Sequence, residues 1–330
     1  PRVPGSRWQH RRLMFMRAAS TSASTRIEGN QLSLGDADAL LAGLRVDAHE
    51  RDVREVRNYA AALDLVTDIA SRGVFEWQEL PLQQLNATVM RGLEHDTRGR
   101  YRAGPATVGG GFYSAPNAAT VQPLTTGLLA WARETDAHPL VRAALLHLNL
   151  VAIHPWFDGN GRTTRIACLL DLSGSAPRPG WVDIEPALAA DQEGYFWRIR
   201  EALGVSWDPE NHVVGEWVEW YAGLHLATLR HALDLEEVER RDVMVILAAL
   251  EERHEDSDWG PLILASAYGP FTASAVNDMY DLSSSALRAL IGRLVDAGWL
   301  EQQGRTRGRT YRASTRVHAL ELVSPALARE

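Results

Sequence analysis

Twelve consecutive residues, His154-Pro155-Trp156-Phe157-Asp158-Gly159-Asn160-Gly161-Arg162-Thr163-Thr164-Arg165, hold most of the chemistry this chain can offer. They bring together a side chain that titrates near neutrality, a hard oxygen ligand, an amide, two glycines and two guanidinium groups. Gly and Asn are poor helix formers, yet apolar runs flank the cluster, Leu140 to Ile153 before it and Ile166 to Leu172 after it. The pattern reads as helix, tight loop, helix. Gly159-Asn160-Gly161 permits unusual φ values and close backbone approach, so successive N–H groups leading into the second helix make a nest for an anion. Arg162 and Arg165 stand three apart and share one helix face; two guanidinium forks above such a nest suit a di- or triphosphate. Asp158 suits Mg²⁺ beside the phosphates. His154, just upstream, can take a proton from an attacking hydroxyl. Base, metal ligand and anion clamp together describe phosphoryl or nucleotidyl transfer.

The elements that must position this loop are mostly helical. Residues 34 to 90 read as helix, with Val53 to Ala70 carrying apolar residues three and four apart. Leu124 to Arg133 continues the bundle, and 173 to 180 is a Gly, Ser and Pro-rich loop. Leu188 to Leu203 reads as one helix, Val213 to Leu233 as a long amphipathic helix, and Leu235 to Arg253 as its helical continuation. His147 reads as a packed, hydrogen-bonded core residue. Among the late aromatics Tyr195, Trp197 and Trp207, Tyr195 either lines a base pocket or packs in the core.

The twelve-residue pattern resembles the signature of the Fic family (filamentation induced by cyclic AMP), H-x-F-x-[D/E]-G-N-G-R-x-x-R. His154, Asp158, Gly159, Asn160, Gly161, Arg162 and Arg165 match; Trp156 stands where the family usually has Phe. The stretch Gly99-Arg100-Tyr101-Arg102, then Val108, Gly109, Gly110, Gly111, Phe112 and Tyr113, then Pro116, is similar to the family's flap. The resemblance implies that this β-hairpin holds a target segment by strand addition. Ser24-Thr25-Arg26-Ile27-Glu28-Gly29-Asn30 resembles the family's inhibitory pattern [S/T]-x-x-x-E-[G/N]. The resemblance implies an N-terminal inhibitory helix in which Ser24 and Glu28 belong to the motif and Glu28 pairs with Arg165. Gly29 is equally a helix stop.

Length and charge bound the rest. A chain of 330 residues with 45% hydrophobic content can form two or three domains with ample cores. The single cysteine, Cys168, excludes an intramolecular disulfide and reads as a small buried hydrophobe. No uninterrupted apolar run reaches about 18 residues, so no membrane span is expected. Pro1 to Arg17 lacks the apolar stretch of a signal peptide, and with no initiating Met the chain reads as trimmed at its start; a cytoplasmic protein is expected. Net charge is −8, which argues against wholesale coating of nucleic acid. From residue 261 onward eight Arg face three Asp and three Glu, or +2, leaving −10 for the remainder. That asymmetry marks a separate C-terminal module. There, Ala273 to Met279 and Ala286 to Asp296 read as helices, Leu282 to Ser285 as a capped turn, and Trp299 to Glu301 and Thr310 to Arg312 as strands. This order resembles a winged helix-turn-helix, with Arg288 on the recognition helix and Arg305, Arg307 and Arg309 at the wing as candidate DNA contacts. Winged helices also serve as partner or homodimer modules.

The expected fold is mainly α: a Fic-type helical bundle with a β-hairpin flap, plus a C-terminal winged-helix domain. The expected segments are 1–33 with the inhibitory helix, 34–235 the Fic core, 236–260 a helical connector, and 261–330 the winged helix and tail. The resemblance implies a protein adenylyltransferase that uses ATP and Mg²⁺ to modify a Ser, Thr or Tyr hydroxyl on a target protein, or on itself. Arg165 would fix the γ-phosphate. Removal of AMP, transfer of another phosphate-containing group, and a nucleotide-sensing transcriptional regulator stay open.

Overall fold

The computed structural model describes residues 5–73, 75–173, 183–280, 282–304 and 309–323. Its helices, in chain order, are α1 (Gly5–Ile27), α2 (Leu34–Leu41), α3 (Glu50–Ser71), α4 (Glu79–Val89), α5 (Ala118–Glu134), α6 (Pro139–Ile153), α7 (Asn160–Ser173), α8 (Glu185–Ala190), α9 (Gln192–Leu203), α10 (Val214–Glu252), α11 (Gly260–Ala267), α12 (Ser284–Asp296) and α13 (Thr315–His318). Two antiparallel hairpins complete it, β1 (Thr107–Val108) with β2 (Tyr113–Ser114) and β3 (Leu300–Gln303) with β4 (Thr310–Ala313). The fold is mainly α, as the periodicity predicts. Among the described residues no helix is long and apolar enough to cross a membrane.

Caps fix the helix ends that matter. His138 accepts from the Leu140 N–H, Pro139 opens α6 where its missing N–H costs nothing, and Asn117 caps α5 through Ala119. α6 is buried on both sides. Leu146 and Leu150 join Tyr59, Leu63, Leu82, Leu85, Ile166 and Leu170 in one cluster. Ala144, Leu148 and Ala152 join Tyr195, Ile199, Trp217 and Tyr221 in another. A helix packed all round has no freedom to slide, so its C-terminus, where His154 stands, is held in place.

The chain divides into two compact units: Ser20–Leu32 with Ala48–Leu229, and the described residues of Pro1–Ala19, Ser33–Asp47 and Arg230–Glu330. The second has its own core, built from Val243, Ile246 and Leu250 of α10, Leu262 to Ala265 of α11, Leu287, Leu290, Ile291 and Leu294 of α12, and Trp299. Its hairpin pairs Leu300 with Ala313 and Gln303 with Thr310, and Phe271 exchanges two backbone hydrogen bonds with Tyr311 at 2.9 and 2.8 Å.

Three local expectations change. Leu188 to Leu203 is two helices, because Asp191 leaves helical geometry (φ −125°, ψ 57°) to cap α9 through the Gly194 N–H. The long helix and its expected continuation are one element, Val214–Glu252, of 39 residues, as read. Within Ala273 to Met279 only Asn277–Met279 is helical, as one 3₁₀ turn. α11, opened by Gly260-Pro261, was not anticipated. Most of the loop read at 173–180 lies outside the described residues.

Leu150→Ala removes a side chain that is 0% exposed at the centre of this packing. It should lower unfolding free energy by about 2–5 kcal/mol in urea titrations.

Candidate active site

The loop between α6 and α7 is held in an unusual shape by a few buried bonds. α6 ends at His154, which takes the left-handed conformation (φ 51°, ψ 65°), a strained geometry for a residue with a side chain. Arg102 fixes it. Its buried guanidinium donates to the carbonyls of His154 (2.7 Å), Gly104 (2.7 Å), Pro116 (2.6 Å) and Ile153 (3.2 Å), and its own N–H donates to the Pro155 carbonyl at 2.9 Å. A cation at the C-terminus of α6 also answers the helix's exposed carbonyls.

Asn160 closes the loop from within. Its Oδ1 accepts from the Trp156 N–H at 3.0 Å and its Nδ2 donates to the Trp156 carbonyl at 2.8 Å. Trp156 is buried, and its indole N–H donates to the Gly99 carbonyl at 2.9 Å. The larger ring therefore gains a partner that Phe cannot have. Gly99 itself sits at φ +79°, and a Cβ there would meet the Gln83 carbonyl oxygen at 2.3 Å. From α4, Asn86 donates to the Asp158 carbonyl (3.4 Å) and to Thr163 Oγ1 (3.1 Å).

The side chains read as functional from sequence do converge. Asp158 is 37% exposed; its Oδ1 accepts from the Gly159 N–H at 2.5 Å and lies 3.3 Å from Arg162 Nη2. Among the described residues no group of three or more His, Cys, Asp or Glu is placed to hold a metal. A single part-exposed carboxylate fits Mg²⁺, which keeps waters and takes phosphate oxygens for most of its shell. Arg162 and Arg165 are both buried. Arg165 Nε donates to Ser24 Oγ at 2.9 Å, and its Nη2 donates to the Ser24 carbonyl at 3.0 Å and to Glu28 Oε1 at 2.8 Å. Glu28 follows α1, where Gly29 at φ +93° ends the helix. Its carboxylate lies over the start of α7: a Cβ on Gly161 would fall 2.1 Å from Glu28 Oε1. Gly161 is thus required for close approach, and an acidic side chain occupies the ground that the N–H nest offers an anion.

Burial holds the His154 imidazole down at about 4, with the Arg102 charge adding; the Val151 backbone, Glu28 and Asp158 pull the other way. The ring is therefore neutral, and able to accept a proton, at pH 7. His147 is a core residue: its Nε2 meets the Tyr195 hydroxyl at 2.8 Å, and the rings of Tyr195, Trp217 and Tyr221 surround it. Burial first, then the charges of Arg165 and His225, push it down to about 3 from 6.5. Its contribution to stability is whole above pH 6.5 and is lost as pH falls toward 3. Tyr195, 1% exposed, packs in the core, whereas Trp197 is 53% exposed.

The hairpin lies where the sequence predicts, with Thr107 opposite Ser114 and Val108 opposite Tyr113. Gly109, Gly110 and Gly111 all have positive φ and form its tip. Tyr113 is fully buried, and the Phe112 ring lies 4.6 Å beneath the Arg200 guanidinium. The outer edge of β2 is already used: the Ser114 N–H donates to the Val205 carbonyl (2.9 Å), and the Ser114 carbonyl accepts from the Trp207 N–H (3.0 Å). Cross-strand geometry then turns the N–H and C=O of Thr107 outward, so an added strand can pair only with β1. Arg102 is read from sequence only as part of the Gly99–Arg102 stretch, and Asn86, Glu55 and Thr107 carry no signal there; Arg102, Asn86 and Glu55 act through contacts between remote segments. Arg288 on α12 and Arg309 before β4 are exposed in the other unit, while Arg305 and Arg307 lie outside the described residues.

Trp156→Phe should lower stability by about 1–3 kcal/mol, because it leaves the Gly99 carbonyl without its donor, while nucleotide affinity stays within about twofold. Urea midpoints and titration calorimetry check the two halves.

Residues 79–172, which span α4 through α7 and include the hairpin and the loop, match the model of the Fic/DOC family. The chain is 29% identical over 165 residues to protein adenylyltransferase fic-1 of Caenorhabditis briggsae, covering 48% of this chain and 32% of that one. It is 29% identical over 150 residues to protein adenylyltransferase Fic of Drosophila erecta, covering 43% and 29%. The chain thus spans less than a third of the length of these curated relatives. A Fic family protein from Desulfovibrio desulfuricans, solved by crystallography, superposes with a TM-score of 0.62 at 26% identity, over 95% of this chain and 91% of its own. Residues 79–172 thus match the Fic/DOC family, and the chain shares the fold of a solved Fic family protein over nearly its whole length.

Proposed function

We propose that this protein is an adenylyltransferase that moves AMP from ATP to a Ser, Thr or Tyr hydroxyl of a target protein, and that Glu28 holds it off. The observation that carries the reading is the convergence, in one loop, of a neutral His154, the N–H nest at the start of α7 and two arginines, one of them gripped by Glu28. The names of the curated relatives agree with it.

In this reading the ATP phosphates lie on the Gly159–Gly161 nest and Arg162, with Arg165 on the γ-phosphate. Asn160, whose amide is spent on the Trp156 backbone, acts by keeping the nest in shape. Asp158 would hold Mg²⁺, which would neutralise charge on the phosphates. His154 takes the target hydroxyl proton as that oxygen bonds to the α-phosphorus; the α–β bridging bond breaks and pyrophosphate leaves. The target backbone pairs with Thr107, presenting its hydroxyl beside the loop. While Glu28 stands over Gly161 and binds Arg165, a triphosphate cannot take the productive position, since two anions would share one nest.

Segment 34–235 works as the Fic core in a cytoplasmic protein, with 236–260 as connector and 261–330 as a winged-helix module. The order α12, β3, β4 and the exposed Arg288 and Arg293 on α12 support that module and a DNA, partner or second-copy contact through it.

With α-labelled ATP, Mg²⁺ and cell lysate, Glu28→Gly should label protein at least tenfold more strongly than wild type, and γ-labelled ATP should leave no label. Label from the γ position would replace this reading with phosphoryl transfer. His154→Ala should lose transfer and keep ATP binding. The rate of Glu28→Gly should stay level from pH 8 to about 5 and fall only below the value of about 4 that His154 has in wild type, because the variant also loses the Glu28 charge that raises it; an acid limb at 6.5 would exclude the buried ring as the base.

A further inference from the structure

Arg162 has a counter-ion that lies outside the loop. Glu55, on α3, places Oε1 3.3 Å from Arg162 Nη1, and both side chains are only 3% exposed. The carboxylate is held from two directions. Arg51 Nε donates to Oε1 at 3.2 Å, and Asn30 Nδ2 donates to Oε2 at 2.9 Å. Asn30 is itself fixed, because its Nδ2 also reaches the Asp52 carbonyl (3.1 Å) and its Oδ1 accepts from the Leu32 N–H (3.0 Å). The Glu55 contact is an ion pair without hydrogen-bond geometry, since Arg162 Nη1 has no hydrogen-bond partner; Nη2 donates to Asp158 Oδ1 at 3.3 Å, a part-exposed group, and to Met90 Sδ at 3.6 Å.

A buried guanidinium is stable only with a well-placed anion beside it. Among the described residues paired with Arg162, Glu55 is the buried carboxylate and Asp158 the part-exposed one. Asn30 stands two residues after Glu28, on the same turn. That turn therefore touches both arginines, Arg165 directly and Arg162 through a carboxylate.

We propose that Glu55 is the positioning residue for Arg162, and that Asn30 orients Glu55. The turn Glu28-Gly29-Asn30 would then have two opposite effects: Glu28 blocks the site while Asn30 keeps its other arginine aimed at the phosphates. This rests on the phosphate-binding role given to Arg162 above. Glu55 does not touch the nucleotide; it acts only by fixing the guanidinium.

A double-mutant cycle in the Glu28→Gly background tests it. The readout is the affinity for α,β-methylene-ATP by calorimetry, which does not depend on transfer. Glu55→Gln keeps the shape and removes the charge, and should weaken binding at least fivefold. Asn30→Ala should weaken it about twofold to threefold. In an Arg162→Ala protein, Glu55→Gln should cost less than a further twofold, because its effect passes through the missing guanidinium. An equal loss with and without Arg162, or no loss at all, overturns the proposal. Should Glu55→Gln not fold by circular dichroism, Glu55→Asp and Asn30→Ala carry the same cycle. Nucleotide binding without labelled protein in Glu28→Gly would sink the transfer reading and leave the cycle to decide Glu55. No nucleotide binding would overturn both.

Discussion

A buried guanidinium needs anions arranged around it before the chain can close over it, and Arg165 is the case on which this site depends. Its side chain is 2% exposed, and its partners are one hydroxyl, one carbonyl and one carboxylate from the end of α1. The need is mutual. Without the Ser24 to Glu28 segment the charge would lack its counter-ion, and without Arg165 that segment would lose the bonds that seat it. The same guanidinium is the group best placed to receive an anionic ligand. In the proposed function a phosphate would compete with Glu28 for this one charge.

The scaffold makes this competition sharp. α6, buried on both sides, holds the loop's entry, and Arg102 sets the strained His154 backbone by tying four carbonyls from three segments. Gly159 and Gly161 leave no Cβ between the α7 N-terminus and whatever lies over it; at Gly159 a Cβ would strike Met90 Sδ at 2.6 Å. In the proposed function neither the carboxylate nor an incoming phosphate could be accommodated by loosening the loop. One must leave for the other to enter.

Legibility from sequence followed the distance over which an interaction acts. The helix, loop, helix reading, the hairpin and the third-turn spacing of the two arginines are local, and they appear where the periodicity and the glycines predict. Some errors were local too. Asp191 capping Gly194, and Gly260-Pro261 opening α11, are ordinary helix-start signals that were passed over. The Glu28 to Arg165 pair, 137 residues apart, was expected only because a family pattern connects them. Nothing in composition or spacing links these residues.

By itself, then, the sequence determined the chemistry at hand: which loop carries base, amide and arginines, that the chain is mainly helical, and that its one cysteine is buried. Only the tertiary structure decided how that chemistry is held. It put Glu28 over Gly161, gave Trp156 a carbonyl that Phe could not use, closed the outer edge of β2 with Val205 and Trp207, and set Glu55 against Arg162. The physical reason is that propensity and spacing describe the backbone within a few turns. Burial of a charge is settled by whichever distant segment brings the opposite charge within reach, and that is a property of packing.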